Sequence, residues 1–234
     1  MTGPAPLSPT PFFAAMLFDC DGVLVDSEGI TNQVLRQKLE ESGWRLSYEE
    51  CFAIFHGKAV RDETARIEAE TGQPLTDDWM ADFYARRNLR LQAELLAEPG
   101  AIATVQGMHA LFGGRIACAS GADRFKLGLQ LQKVGLWDYF EGRVFSGQEL
   151  ARNKPAPDVY LAAAAALQVP TQRCVVVEDS IPGITAGVAA GAAVIAYDKH
   201  GQATDAMRAA GAVCVIRHMQ DVPQAVAMLM RACR

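Results

Sequence analysis

At 234 residues, half of them apolar and 21% charged, the chain is long enough to bury a substantial core in one or two domains. Its formal net charge of −5, without a basic run or tail, argues against a nucleic-acid or anionic-membrane partner. No apolar run approaches the ~20 residues that span a bilayer, and six cysteines with no Cys-x-x-Cys pair read as small buried hydrophobes of a reducing compartment, which makes the cytoplasm the expected location.

Thr2 to Pro11 holds four prolines and no Lys or Arg. It lacks a signal peptide's charged start and apolar centre and reads as a flexible lead-in to a first strand, Phe12 to Phe18. That strand runs into Asp19-Cys20-Asp21-Gly22. Two carboxylates this close at a strand end repel each other unless a divalent cation, a shared proton or both relieve them. The segment is therefore a candidate active site. Helical periodicity follows, with Ile30, Val34, Leu35 and Leu39 on one face, Asp26 or Ser27 as N-cap and Gly43 ending the run. Polar, helix-rich sequence continues to Leu96.

From Ile116 onward the pattern alternates. Ile116–Ala119, Val144–Phe145, Cys174–Val177, Ala193–Tyr197 and Val213–Ile216 read as short apolar strands. Helical segments separate them: Asp123–Val134, Pro157–Leu167, Pro182–Ala190, Thr204–Ala210 and Pro223–Ala232. Continuously apolar strands alternating with helices predict an α/β fold with a doubly wound parallel sheet covered on both faces. The gap of about a hundred residues between the first two strands predicts an inserted helical domain, and Glu98-Pro99-Gly100 marks the return to the core. The expected division is a core of residues 1–26 and 97–234 and a helical unit of 27–96.

In open parallel sheets the working groups collect beyond the carboxyl ends of the strands. Strand one ends in Asp19 and Asp21, the next in Ser120-Gly121, and Cys174–Val177 runs into Glu178-Asp179-Ser180, while Lys154-Pro155 opens a helix. Singly, each has an ordinary reading as a turn, a solvated lysine or a helix N-terminal acid. Together they are a candidate site.

In this order, Asp19-Cys-Asp21-Gly-Val-Leu-Val-Asp-Ser-Glu, Ala-Ser120-Gly, Lys154-Pro-Ala-Pro-Asp and Val-Val-Glu178-Asp179-Ser resemble the four motifs of the haloacid dehalogenase superfamily. The likeness is to its phosphatase and phosphoglucomutase-like branch, which carries a helical cap after the first strand. One departure is Asn153, where a glycine commonly precedes the lysine. The resemblance implies that Asp19 is the nucleophile and forms an aspartyl-phosphate, and that Asp21 is the general acid and then the base for water. Mg²⁺ would be held by Asp19, the Asp21 main-chain carbonyl and Asp179, with Glu178 steadying those ligands from behind. Ser120, Gly121 and Lys154 would hold the phosphoryl oxygens. Because a halide leaves without a proton, a second acid at Asp21 favours oxygen-linked phosphate esters.

The substrate expected is a small phosphorylated metabolite, a sugar phosphate or sugar-acid phosphate, and the state expected is a monomer. In the cap loop His56, Lys58 and Arg61 are the candidates to read the rest of that substrate, although simple surface solvation is an equal reading of them. A sugar-phosphate mutase is the alternative function, and a non-catalytic binding module a third. Mutases of this branch carry a histidine near the position of Thr31 and a cap-loop arginine aligned with Val60, so both positions depart from the mutase pattern.

Overall fold

The computed structural model describes residues 12–233; the proline-rich stretch Thr2–Pro11 lies outside the described residues. Six strands, β1 (Ala15–Phe18), β2 (Ile116–Ser120), β3 (Val144–Ser146), β4 (Cys174–Glu178), β5 (Ala193–Tyr197) and β6 (Cys214–Ile216), form one sheet in the order β3-β2-β1-β4-β5-β6. Every pairing is parallel, with Phe18 opposite Cys118 on one side and Val177 on the other. The chain winds outward from β1 to β3, then crosses to β4 and winds the other way. β1 therefore lies at the reversal point, where ligand crevices form in doubly wound folds.

Alternation along β1 sends Met16 and Phe18 to one apolar layer and Ala15 and Leu17 to the other, so both faces are dry and the strand reads as a continuous apolar run. The first layer is covered by α5 (Ala101–Leu111), α6 (Arg124–Lys133), α7 (Trp137–Phe140) and α11 (Val222–Ala232); the second by α8 (Asp158–Ala166), α9 (Ile181–Ala189) and α10 (Thr204–Ala209). Each fully buried Val, Leu or Phe in these layers contributes about 1.5–3 kcal/mol.

Between β1 and α5 lie α1 (Glu28–Glu41), α2 (Tyr48–Phe55), α3 (Thr64–Thr71) and α4 (Asp77–Glu94). These helices share an apolar cluster of their own, built on Leu35, Leu39, Trp44, Phe55 and Phe83 and separate from the two sheet layers. A capping box of Ser47 and Glu50 starts α2, and the Thr76 hydroxyl accepts from Trp79 N at the start of α4. The two crossings to this unit run side by side. Val25 bridges Ala97 in antiparallel fashion, Asp26 N donates to Leu96 O, and Glu98 N donates to Leu24 O. Lys199, just past β5, clamps both crossings through Asp26 (3.1 Å) and Glu98 (2.6 Å).

Among the described residues no helix is long and apolar enough to cross a membrane. Cys20, Cys51, Cys118 and Cys174 are buried thiols and none of the six cysteines is paired.

Candidate active site

The carboxyl ends of β1, β2 and β4 and the loop before α8 converge on one cavity, roofed by α1, α2 and α4. Asp19 follows β1 directly, its N–H donating to Val177 O at 3.0 Å, which ties it to the neighbouring strand. The chain then turns at Gly22 with φ +73°. A Cβ there would stand 1.9 Å from Asp179 Oδ2, so the turn brings two strand ends closer than any side chain permits.

Lys154 Nζ donates to Asp19 Oδ1 (2.7 Å), Glu178 Oε1 (2.6 Å) and Ala119 O (3.0 Å). One lysine thus joins β1, β2 and β4. Asn153 aims it: its side-chain N donates to Gly121 O and its side-chain O accepts from Lys154 N. The residue that departs from the family's glycine fastens the Lys154 loop to the Ser120-Gly121 loop. Ser120 is buried, and its hydroxyl accepts from Ala122 N at 3.3 Å.

Glu178 is fully buried and fully used. Its Oε1 accepts from Lys154 and Tyr160, and its Oε2 from Asp179 N, Ser180 N and the Ser180 hydroxyl. Gly183 makes room for it, since a Cβ at that position would meet Glu178 Oε1 at 1.7 Å. Asp179 is the reverse case: among the described residues no donor hydrogen-bonds to its carboxylate. Oxygens of Asp19, Glu178 and Asp179 lie within 4.8 Å of one another, with one lysine among them.

Electrostatics follow from that imbalance. Burial pushes the Asp19 carboxyl up to about 7, and Glu178 and Asp21 add to the rise against the pull of Lys154. Burial likewise holds Asp179 well above the carboxylate range, with Glu28, Glu178 and Asp19 reinforcing it. Lys154 loses favour by burial but is held well above its ordinary value by Asp19 and Glu178. Three packed carboxylates with one lysine fit a divalent metal held by oxygen donors, and Asp19 and Asp179 are the two with lone pairs to spare.

Asp21 has different surroundings. Burial opposes its ionisation, yet Lys126, Ser27 and Gln130 together outweigh it and hold the carboxyl at about 2. Lys126 Nζ and Gln130 Nε2 donate at 2.8 and 2.7 Å, and the Ser27 hydroxyl makes a short bond to the same group. Of the two N-cap candidates, Asp26 and Ser27, it is Ser27 that occupies the position at the start of α1, but it makes no cap bond with its hydroxyl. Lys126 and Gln130 escape the sequence reading. The available signal was two long polar side chains four apart on α6, beside Leu127 and Leu131, on a face that had to be buried.

Of the cap-loop candidates, His56 lines the cavity and its Nε2 lies 2.5 Å from Glu28 Oε1, a contact that raises the imidazole above its ordinary pKa. Lys58 also lines it and pairs with Glu63 at 2.6 Å. Arg61 is not among the lining residues; its guanidinium is exposed and bonds Asp77 at 2.7 Å. Arg87 of α4, which the sequence reading passed over, does line the cavity. It reaches Asp123 at 2.8 Å and lies over the Tyr84 ring. Asp123 in turn caps α6 by accepting from Lys126 N, so one carboxylate joins the helical unit to the core beside the site.

The acid-rich crevice lies at the reversal point of a doubly wound α/β sheet, where such folds bind their ligands. Residues 13–191 match the model of the haloacid dehalogenase-like hydrolases, and the chain belongs to that family. It is 32% identical over 184 residues to the 6-phosphogluconate phosphatase of Escherichia coli K12, covering 78% of this chain and 81% of the relative. It is 31% identical over 190 residues to hexitol phosphatase A of the same organism, covering 78% and 82%. A family hydrolase of Deinococcus radiodurans R1, solved with bound phosphate and sodium, superposes with a TM-score of 0.75 at 32% identity over 94% of this chain and 97% of that one.

Proposed function

We propose that the chain is a Mg²⁺-dependent phosphatase that hydrolyses a small phosphorylated metabolite, a sugar phosphate or sugar-acid phosphate, through an aspartyl-phosphate. The observation that carries this reading is the convergence in one cavity of Asp19, bonded at 2.7 Å to Lys154 and grouped with Asp179, and of a second acid, Asp21, held apart from them by Lys126 at 2.8 Å. Two carboxylates with separate cationic partners beside one crevice can take two different roles. The relatives named for phosphatase activity on a sugar acid and on hexitols support the same class.

An Asp19 oxygen attacks phosphorus as the ester oxygen departs, and Asp21 supplies the departing oxygen with its proton. Asp21 then takes a proton from water as the water oxygen attacks the acyl phosphate, which frees Asp19 and inorganic phosphate. As drawn, Asp21 is ionised and turned to Lys126, which is the form of the second half. Proton donation in the first half requires Asp21 to take up a proton and swing from Lys126 to the leaving oxygen. Ser120, the Gly121 amide and Lys154 position the phosphoryl oxygens. Mg²⁺ would be held by Asp19, the Asp21 main-chain carbonyl and Asp179, and would neutralise the carboxylate cluster and polarise the phosphoryl group. The helical unit of 27–96 serves as the cap that excludes water.

Hydrolysis is preferred to phosphoryl return because Thr31 and Val60, which line the cavity, supply neither the histidine nor the arginine of the mutase pattern. Two assays test this. Nitrophenyl phosphate should be hydrolysed only when Mg²⁺ is supplied after chelation, and a hexose phosphate should release free phosphate. A rearranged hexose phosphate without phosphate release would sink the hydrolase reading.

A further inference from the structure

Among the described residues, the only side-chain N or O atom fully shielded from solvent and without a hydrogen-bond partner is Thr31 Oγ1. Thr31 lies on the face of α1 that carries Glu28, Asn32 and Leu35, and all four line the cavity. A buried hydroxyl without a partner is costly, and such atoms in a binding cavity are matched by the ligand.

The cations of the same cavity are all committed. Apart from Lys154 and Lys126, which belong to the catalytic carboxylates, His56 faces Glu28, Lys58 faces Glu63 and Arg87 faces Asp123, each at 2.5–2.8 Å. Each of these pairs carries little net charge. Asp62, an exposed lining residue, pairs with no cation among the described residues, so it adds negative charge that nothing in the cavity offsets. Rings complete the lining: Phe52 stacks on His56 with centroids 4.6 Å apart, and Tyr84 lies under Arg87, flat faces suited to C–H groups.

From these observations we propose that Thr31 is a specificity-determining residue that hydrogen-bonds a neutral hydroxyl of the substrate. The substrate body is then an uncharged polyol or sugar carrying a single phosphate, and a sugar acid or a bisphosphate is disfavoured. A second anion would enter a cavity with no uncommitted cation and with Asp62 in its lining, whereas a hydroxyl satisfies Thr31. This inference rests on the phosphatase reading above and narrows its substrate class.

The test uses glucitol 6-phosphate and 6-phosphogluconate, which differ only in having a hydroxymethyl or a carboxylate at the far end, with nitrophenyl phosphate as a body-free reference. The wild-type protein should prefer glucitol 6-phosphate by about tenfold or more in kcat/KM. Thr31→Val should lower kcat/KM for glucitol 6-phosphate, mainly through KM, about fivefold beyond any change on nitrophenyl phosphate, and Thr31→Ser should restore it. Equal or better turnover of 6-phosphogluconate, or an equal loss on both substrates in Thr31→Val, would overturn the inference while leaving the phosphatase reading intact. Failure of the wild type to hydrolyse nitrophenyl phosphate with Mg²⁺ would instead overturn the phosphatase reading, and the inference with it.

Discussion

Asp19→Asn should abolish turnover and yet stabilise the metal-free protein at neutral pH. In the folded state the carboxyl is raised from 3.8 to about 7, so the native protein binds a proton that the unfolded chain releases. Wild-type stability is therefore full below pH 3.8, falls as pH rises from there, and has lost its whole share above about 7. Roughly 3 pH units at 1.36 kcal/mol each set an upper limit of about 4 kcal/mol. Asparagine removes the charge, and the pull of the 2.7 Å Lys154 bond is already contained in that rise. A gain of up to about 4 kcal/mol at pH 8 is expected, shrinking by about 2–3 kcal/mol toward pH 5 as the wild type takes up its proton. Urea unfolding of chelator-treated proteins at pH 5, 6.5 and 8 measures it. Added Mg²⁺ should narrow the gap by stabilising the wild type more. Parallel pH dependences for the two proteins would refute the claim that burial and neighbouring carboxylates raise Asp19, and residual turnover near wild type would refute its role as nucleophile.

Asp21→Asn should cost far more on alkyl phosphates than on nitrophenyl phosphate, whose leaving group needs little protonation; equal losses in kcat would argue against an acid role. Lys126→Met should release Asp21 from about 2 toward its ordinary value and cost on the order of 2 kcal/mol of stability at pH 7. Because the Asp21 shift is downward, that difference is present above pH 3.8 and vanishes as pH falls through about 2, which acid-side denaturation curves would reveal. Gly22→Ala should lose metal-dependent activity and about 1–3 kcal/mol of stability, since φ is +73° and the new Cβ falls 1.9 Å from Asp179 Oδ2. A fully active Gly22→Ala protein would show that the β1 and β4 ends need not approach so closely.

The sheet was readable because its evidence is local. Continuous apolar runs such as Cys174–Val177 carry their strand character in the residues themselves, and β4 spans Cys174–Glu178. Val213, the first residue of the predicted last strand, falls outside β6, which begins at Cys214, and Phe12 to Ala14 of the predicted first strand fall outside β1, which begins at Ala15. α5 carries no clear sequence signal, because Thr104, Gly107 and His109 interrupt its apolar residues, a weak helical pattern that packing into the first apolar layer beside α11 overrides.

The acids and the lysine were legible as strand-end residues, and their order along the chain carried the family. Sequence by itself determined that Asp19, Asp21 and Asp179 lie just past the carboxyl ends of strands of one parallel sheet and Lys154 in a loop leading into a helix, because strand direction and alternation with helices are encoded locally. Tertiary structure alone decided their inequality. Lys126 and Gln130, more than a hundred residues from Asp21, hold that acid ionised, while burial, with Glu178 and Asp21 adding to it, raises Asp19. Burial and charge neighbours set a carboxylate's proton affinity, and both are properties of what the fold brings near rather than of adjacency in the chain. The same holds for Thr31, whose hydroxyl became informative only once every other buried polar side-chain atom among the described residues was found to have a partner.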